Sequence, residues 1–204
     1  ENMLQVLEET PETYEQAYLA ALKSNTLPHA LARPPSHLAL VGMGGSAIAA
    51  DILKDWLFDS QTLIEVIRGS RLPGSITART RVLVTSYSGQ TGETLKALKE
   101  ARRRGSRVSC IASEGELLNA CRKQAIPHIQ VGAGLQPREA LPHLLSASIA
   151  ILERWRICDR RSVRAELRTV TEHLRELRRA IGFARAQSEN PAKQLASKLD
   201  GTIP

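Results

Sequence analysis

Five short apolar runs, each suited to a buried strand, alternate with helical patterns in the middle of this chain. The apolar runs cover 38–42, 63–67, 81–86, 107–111 and 127–131, and the helical patterns between them cover 46–58, 92–103 and 115–123. Strands that alternate with helices form parallel sheets covered by helices on both faces. The alternation therefore predicts an α/β fold, a three-layer α/β/α sandwich with a five-stranded parallel sheet. Its ligand is expected at the carboxyl ends of the strands.

Further helical patterns flank this unit. Thr10, Pro11 and Glu12 are typical of a capped helix start with proline at the first helical position, which predicts a helix over 10–24. C-terminal helices are predicted over 137–157, 161–186 and 191–200. The second of these has an apolar seam at Val163, Leu167, Val170, Leu174, Leu177, Ile181 and Ala184. Such a seam packs on another helix or subunit, so we expect a homodimer.

The chain is basic, with 28 Lys and Arg against 21 Asp and Glu. Basic clusters can bind nucleic acid, but the aromatic residues that stack on bases make up only 3% of this chain. In the 161–186 helix, arginines alternate with glutamates: Arg164, Arg168, Arg175 and Arg179 beside Glu166, Glu172 and Glu176. We interpret this pattern as a solvated, ion-paired helix face and expect no nucleic-acid partner.

Three features bear on the cellular compartment. No apolar run approaches the ~18–20 residues of a membrane span, so no membrane association is expected. Residues 1–16 mix acidic with apolar residues, unlike a signal peptide. Cys110, Cys121 and Cys158 share no metal-ligand or redox spacing, so we expect them to be reduced and mostly buried. Together these features favour the cytoplasm.

Two glycine- and serine-rich loops follow predicted strands. In GMGGS at 42–46 the glycines allow close approach of the backbone to a ligand, and Ser46 offers its hydroxyl and amide at a helix start. A dinucleotide site is the alternative for such a turn. The spacing argues against it, because Ala47 replaces the third glycine of GxGxxG and Arg68, rather than an acid, follows the second strand.

The second loop, SYSGQT at 86–91, can turn the hydroxyls of Ser86, Ser88 and Thr91 inward. The amides from Gly89 to Gly92 add donors at a helix N-terminus, where the macrodipole favours an anion. The loop contains no Lys or Arg, and no acid is placed to hold Mg²⁺, which suits a phosphomonoester better than a triphosphate. Helix capping, the alternative role, would explain one hydroxyl but not three.

These motifs resemble a known family. GMGGSAIAADIL with SYSGQTGETL resembles the sugar isomerase (SIS) domain, which is flavodoxin-like, and QPREALPHLL at 136–145 narrows the resemblance to the bifunctional phosphoglucose/phosphomannose isomerases. The resemblance covers about residues 38–204. It implies a SIS domain at 38–158 and helices at 159–204 linking to a second SIS domain. We expect the preceding residues 1–37 to form a helical segment that packs on the domain. In this interpretation the chain is cut short, and a further strand begins at about residues 202–204.

The resemblance also implies residue roles. Gly45, Ser46, Ser86, Ser88 and Thr91 match the family's sugar-phosphate contacts. Arg138 matches the arginine near the C1–C2 oxygens, where it stabilises an enediolate. Gln90 departs from the family's asparagine. The family's catalytic Glu and His are expected beyond Pro204, and we interpret Glu93 and Glu139 as first-turn helix acids. No metal or other cofactor is implied.

The implied reaction is aldose–ketose isomerisation. Glucose 6-phosphate or mannose 6-phosphate interconverts with fructose 6-phosphate through a cis-enediol, and this chain is the N-terminal half of the enzyme. The chain alone is then expected to bind a hexose 6-phosphate without turnover. Two alternatives remain open: a SIS module that senses a sugar phosphate without catalysis, and a structural role in which 161–186 dimerises and the loops are vestigial.

Overall fold

The computed structural model describes residues 3–202. The five strands are β1 His37–Gly42, β2 Leu63–Ile67, β3 Arg81–Thr85, β4 Arg107–Ala112 and β5 His128–Gln130. The helices are α1 Met3–Leu22, α2 Gly45–Trp56, α3 Gly92–Arg103, α4 Gly115–Lys123, α5 Leu141–Arg154, α6 Arg160–Ile181 and α7 Pro191–Leu199. All five predicted strands are confirmed to within one residue at each end. The further strand predicted at 202–204 lies largely outside the described residues.

The strands form one parallel sheet in the order β2-β1-β3-β4-β5. Strand order reverses between β1 and β3, which pair side by side, with Gly42 opposite Thr85. In open parallel sheets, ligands bind outside the carboxyl ends of the strands at such a reversal, and this strand order is the flavodoxin-like one. The predicted sheet is therefore confirmed, and its topology directs attention to the loops after β1 and β3.

Helices cover both faces of the sheet. Alternate strand residues such as Leu40 and Leu83 pack under α1, α2 and α5, whereas Val41 and Val84 pack under α3 and α4. Because both faces are buried, the strands are apolar along their whole length rather than alternating. The three-layer α/β/α sandwich is confirmed.

The first helix differs from the prediction. It begins at Met3, and Pro11 lies inside it rather than at its start. Proline removes one helical hydrogen bond and is costly in a helix interior. Here Pro11 is buried, its carbonyl accepts a hydrogen bond from the hydroxyl of Thr171 on α6 at 3.2 Å, and the hydroxyl of Thr10 donates to the carbonyl of Val6 at 2.8 Å. Tertiary packing thus offsets the local cost.

Three predictions about the C-terminal helices need correction. Helix α5 begins at Leu141 rather than at residue 137, because residues 137–139 form a turn. Helix α6 ends at Ile181 rather than at 186. Arg175, which was predicted to pair along α6, pairs across to α1 instead, as does Arg178. Arg175 and Arg178 bind the carboxylate of Glu12 at 2.9 and 3.1 Å. The packing of α1 along α6 brings Glu12 within reach of these two arginines.

The apolar seam of α6 is divided between two environments. Val163 and Leu167 are buried inside the chain, whereas Leu177 and Ile181 are 51% and 37% exposed. The first half of the seam therefore has its partner within this chain. The second half lines an apolar groove between α1, α6 and α7.

All three cysteines are unbridged; Cys110 and Cys121 are buried and Cys158 is half-buried. Burial, followed by the nearby carboxylates of Glu153 and Asp159, raises the pKa of Cys158 to about 12. Among residues 3–202, no helix has the length and apolar character needed to cross a bilayer.

Candidate functional site

The two glycine- and serine-rich loops lie side by side at the carboxyl edge of the sheet. The first loop (42–46) leads from β1 into α2, and the second loop (86–91) leads from β3 into α3. Because β1 and β3 are neighbours, the N-termini of α2 and α3 open at the same place. Free N–H groups and the positive ends of two helix dipoles therefore meet there, an arrangement that favours an anion.

The structure brings most of the predicted hydroxyls together. The Ser86 and Thr91 hydroxyl oxygens are 3.0 Å apart, and Ser86 is buried. The hydroxyl of Ser46 reaches across from the first loop and accepts the N–H of Tyr87 at 3.1 Å. Ser88 lies at the exposed rim, where its hydroxyl accepts the N–H of Gln90 at 3.3 Å. Ser46, Ser86 and Thr91 thus belong to one connected group, with Ser88 beside it.

Helix capping does not account for this arrangement. Thr91 is the N-cap residue of α3, yet its side chain makes no capping hydrogen bond. Its hydroxyl is paired with that of Ser86 instead. The residue placed to cap the helix therefore keeps its hydroxyl inside the loop.

The loop offers fewer free amides than predicted. The N–H of Gly89 donates to the carbonyl of Ser86 at 3.1 Å, and the N–H of Gln90 is bound to Ser88. No acceptor within residues 3–202 takes the N–H groups of Thr91 or Gly92. The first two amides of the series close the turn, so only the last two remain to bind an anion.

Gly89 serves loop packing rather than ligand approach. Its φ is +64°, and a Cβ there would lie 1.8 Å from the carbonyl oxygen of Glu114. Gly115, with φ +83°, makes the reciprocal contact, because its Cβ would lie 2.5 Å from the carbonyl oxygen of Ser88. The N–H of Leu117 completes the join by donating to the carbonyl of Gly89 at 2.9 Å. The second loop is thus held by direct backbone contact with the start of α4.

Arg138 lies in a turn beside the first loop. The carbonyl oxygen of Pro137 would be 3.3 Å from a Cβ on Gly45, so the backbone of this turn is packed against the start of α2. The carboxylate of Glu139 accepts the N–H of Gln136 at 2.9 Å and stabilises the turn. Arg138 is exposed, and within residues 3–202 its guanidinium makes no hydrogen bond or ion pair. The predicted residues Gly45 and Arg138 are therefore neighbours in the structure.

No family model matches the chain, but sequence relatives and similar solved structures are found. A bifunctional phosphoglucose/phosphomannose isomerase from Caldicellulosiruptor bescii is 27% identical over 195 residues, covering 95% of this chain and 56% of that protein. One from Aquifex aeolicus is 29% identical, covering 84% of this chain and 49% of that protein. A solved structure from Silicibacter pomeroyi DSS-3, described as a phosphosugar isomerase, has a TM-score of 0.61 at 19% identity, covering 90% of this chain and 58% of that chain.

The chain has the SIS fold. It resembles the bifunctional phosphoglucose/phosphomannose isomerases in sequence, as the two loop motifs together with QPREALPHLL at 136–145 predicted. The chain spans about half the length of the curated relatives it matches.

Within this SIS fold, Tyr87 makes a contact network that the sequence analysis missed. Its phenol donates to the carbonyl of Gly132 at 3.0 Å and accepts the N–H of Leu135 at 2.8 Å. Its carbonyl accepts both the N–H and the hydroxyl of Ser113, at 2.9 and 2.6 Å. Burial raises the pKa of the Tyr87 phenol, so the hydroxyl keeps its proton. The one available signal was an aromatic residue between two serines, in a chain with few aromatics.

The titratable residues near the site have structural roles. Glu93 is in the first turn of α3, where it complements the helix dipole as predicted. Glu139 precedes α5 and caps its own turn, so its interpretation as a residue of the first helical turn is corrected. His37 bonds Thr80 at the opposite edge of the sheet, and His128 bonds the carbonyl of Ile126.

Proposed function

We propose that the chain binds the phosphate of a hexose 6-phosphate at the two loops, through Gly45, Ser46, Ser86, Ser88 and Thr91. The observation that carries this proposal is the Ser86–Thr91 hydroxyl pair, which lies at a helix N-terminus yet does not cap the helix. Hydroxyls and free amides without a lysine or arginine suit one phosphomonoester. The sequence relatives are named as isomerases of glucose and mannose phosphates, which agrees with this ligand class.

We further propose that the complete protein is an aldose–ketose isomerase. Glucose 6-phosphate or mannose 6-phosphate would interconvert with fructose 6-phosphate when the C2 proton of the opened sugar is removed, a cis-enediol forms and a proton returns at C1. Phosphate binding supplies energy remote from the reacting carbons and holds C2 in place. Arg138 would offset the charge that develops on the C1–C2 oxygens, since its guanidinium has no hydrogen bond or ion pair among residues 3–202.

Proton transfer is assigned to residues outside these 204. The nearby carboxylate of Glu139 is bound within its own turn, and Glu93 lies at the exposed start of α3. The family resemblance implies a Glu and a His in a second SIS domain. A sensing module without catalysis would use the same loops, and it is distinguished by the absence of turnover in the complete protein.

The proposal extends to assembly and compartment. We propose a homodimer, because the exposed half of the α6 seam presents Leu177 and Ile181 to solvent. We also place the protein in the cytoplasm, because its three cysteines are unbridged.

Replacing both Ser86 and Ser88 with Ala tests the phosphate site. Each hydrogen bond to a charged group contributes about 1.5–3 kcal/mol, so the affinity for fructose 6-phosphate should fall by about 100-fold or more. Isothermal titration of the 204-residue chain with fructose 6-phosphate and with inorganic phosphate measures this loss. Ser75→Ala combined with Ser106→Ala is the matched control. It also removes one exposed and one buried hydroxyl, each with a single hydrogen bond, at the opposite edge of the sheet.

Unchanged affinity in the Ser86/Ser88 variant, or an equal loss in the control, would contradict the site. A coupled assay of fructose 6-phosphate conversion on the same wild-type chain separates binding from catalysis. Binding without turnover is expected, because a missing general base costs about 10²–10⁴-fold in rate. Conversion at ordinary isomerase rates would mean that Glu93 or Glu139 acts as the base.

A further inference from the structure

We propose that Tyr87 is a positioning residue that sets Arg138 relative to the phosphate loops, and so determines how much the sugar contributes to binding. This inference rests on the proposed function, because it assigns a task within the same site. Tyr87 belongs to the second loop, and its side chain reaches the segment that carries Arg138.

The backbone of Tyr87 is fixed on two sides. Its N–H is bound by the hydroxyl of Ser46 at 3.1 Å, which joins the second loop to the first. Its carbonyl accepts two hydrogen bonds from Ser113, which follows β4. Three strand ends are therefore connected through one residue. A ligand that fixes the position of either loop therefore also fixes the backbone of Tyr87, from which the side chain extends.

The phenol of Tyr87 extends these contacts to a segment that has no regular secondary structure. Residues 131–136 form neither helix nor strand. The phenol donates a hydrogen bond to the carbonyl of Gly132 and accepts one from the N–H of Leu135. Tyr87 as a residue is 6% exposed, and both of these hydrogen bonds are partly buried. Arg138 follows Leu135 by three residues, at most about 10–11 Å of extended chain.

The segment that bears Arg138 is thus attached at two points. One is the phenol of Tyr87, and the other is the contact of Pro137 with Gly45 at the start of α2. Both attachment points belong to the loops proposed to bind phosphate. Arg138 itself lies on an exposed turn, and its guanidinium has no partner in the described part of the chain, so its position depends on these attachments. A hydroxyl on Tyr87 is needed for the first attachment, and no other atom of the residue can replace it.

Tyr87→Phe removes the phenol bonds and keeps the backbone bonds of the phosphate loops. The affinity for inorganic phosphate should therefore stay within about threefold of wild type, whereas the additional affinity for fructose 6-phosphate should fall by about tenfold, the lower range for one hydrogen bond to a charged group. The measured quantity is the dissociation constant for inorganic phosphate divided by that for fructose 6-phosphate. Both constants are obtained by isothermal titration of the 204-residue chain, and a weaker contribution from the sugar lowers this ratio. Arg138→Gln should lower the same ratio, and the double variant should lower it no further.

Tyr18→Phe is the matched control. Tyr18 is also buried, and its phenol donates to the carboxylate of Glu153, away from the two loops. This variant also removes a tyrosine hydroxyl and its hydrogen bond, and it should leave the ratio unchanged. A fall in the ratio for Tyr18→Phe as large as that for Tyr87→Phe would show a general loss of stability and would overturn the inference.

Amide hydrogen exchange in the wild-type chain provides a test that needs no variant. Saturating inorganic phosphate should slow exchange at Leu135, whose N–H is held by the phenol, more than at His128, whose N–H is held by Thr26. Equal slowing at both amides, or an unchanged ratio in Tyr87→Phe, would overturn the role of Tyr87 and leave the phosphate site standing. Failure of the wild-type chain to bind either ligand would instead overturn the proposed function, and the inference with it.

Discussion

Gly89 is the residue at which the second loop comes closest to another part of the chain. It combines a left-handed backbone with a contact that leaves no room for a side chain, since a Cβ would meet the carbonyl oxygen of Glu114 at 1.8 Å. Gly134 has a comparable positive φ of +91° but nothing within 4 Å of its would-be Cβ. Comparing substitutions at the two glycines therefore distinguishes the energetic cost of a left-handed backbone from the energetic cost of steric overlap.

Gly89→Ala should destabilise the chain more than Gly134→Ala. A left-handed conformation costs a non-glycine residue about 1–2 kcal/mol, which is the whole effect expected at Gly134. Overpacking adds about 1–3 kcal/mol, so Gly89→Ala should lower the free energy of unfolding by about 2–5 kcal/mol. Urea denaturation of both variants measures the difference. Equal losses would show that the loops separate easily, contrary to the close backbone contact.

At the scale of elements, the end of α4 departs from the usual residue choice. The helix ends at Lys123, and Ala125 adopts φ +51° while the N–H of Ile126 returns to the carbonyl of Cys121 at 2.9 Å. Glycine is the common residue at this position, because it has no Cβ to strain a left-handed backbone. Helix α4 therefore ends in a left-handed conformation although the residue at that position is alanine rather than glycine.

Ala125→Gly should stabilise the chain. Relief of the left-handed strain, less the added freedom of glycine in the unfolded chain, should raise the free energy of unfolding by about 0.5–1 kcal/mol. Gln124→Gly is the control, because Gln124 has an ordinary φ of −108° and glycine there should lower stability by about 0.5–1 kcal/mol. Chemical denaturation should give opposite signs for the two variants. A loss of stability in both would refute strain at Ala125.

At the scale of the whole molecule, one apolar surface has no partner within the described chain. A groove of about 440 Å³ between α1, α6 and α7 is lined by residues that include Leu7, Leu177 and Phe183. These three side chains are 58%, 51% and 65% exposed. Apolar surface of this kind, rimmed by charged residues such as Glu8 and Arg178, is typical of an interaction site.

The chain should self-associate through this groove. Leu177→Lys places a charge in the apolar groove and should shift the chain toward monomer, as measured by sedimentation at about 10–50 μM, a working range for modest interfaces. Ala180→Lys adds the same charge to an exposed position of α6 that does not line the groove, and should leave association unchanged. A wild-type chain that sediments as a monomer throughout this range would contradict the proposed homodimer.

Local sequence patterns were enough to predict the sheet and the position of the candidate site. Apolar runs such as 38–42 and 81–86 identify buried parallel strands, because a strand covered on both faces needs apolar side chains throughout. The loops that follow them were visible as glycine and serine clusters. These features are local, because each is recognisable within about ten consecutive residues. The parallel topology of the sheet then brings the two loops together.

The tertiary structure decided what depends on residues far apart in the chain. Pro11 lies within a helix because it packs on α6, and Glu12 pairs with Arg175, 163 residues away. Tyr87 holds Leu135 across 48 residues, a contact that no local pattern predicts. Such contacts arise when helices and loops pack, because burial strengthens hydrogen bonds and offsets local costs that the sequence shows as unfavourable.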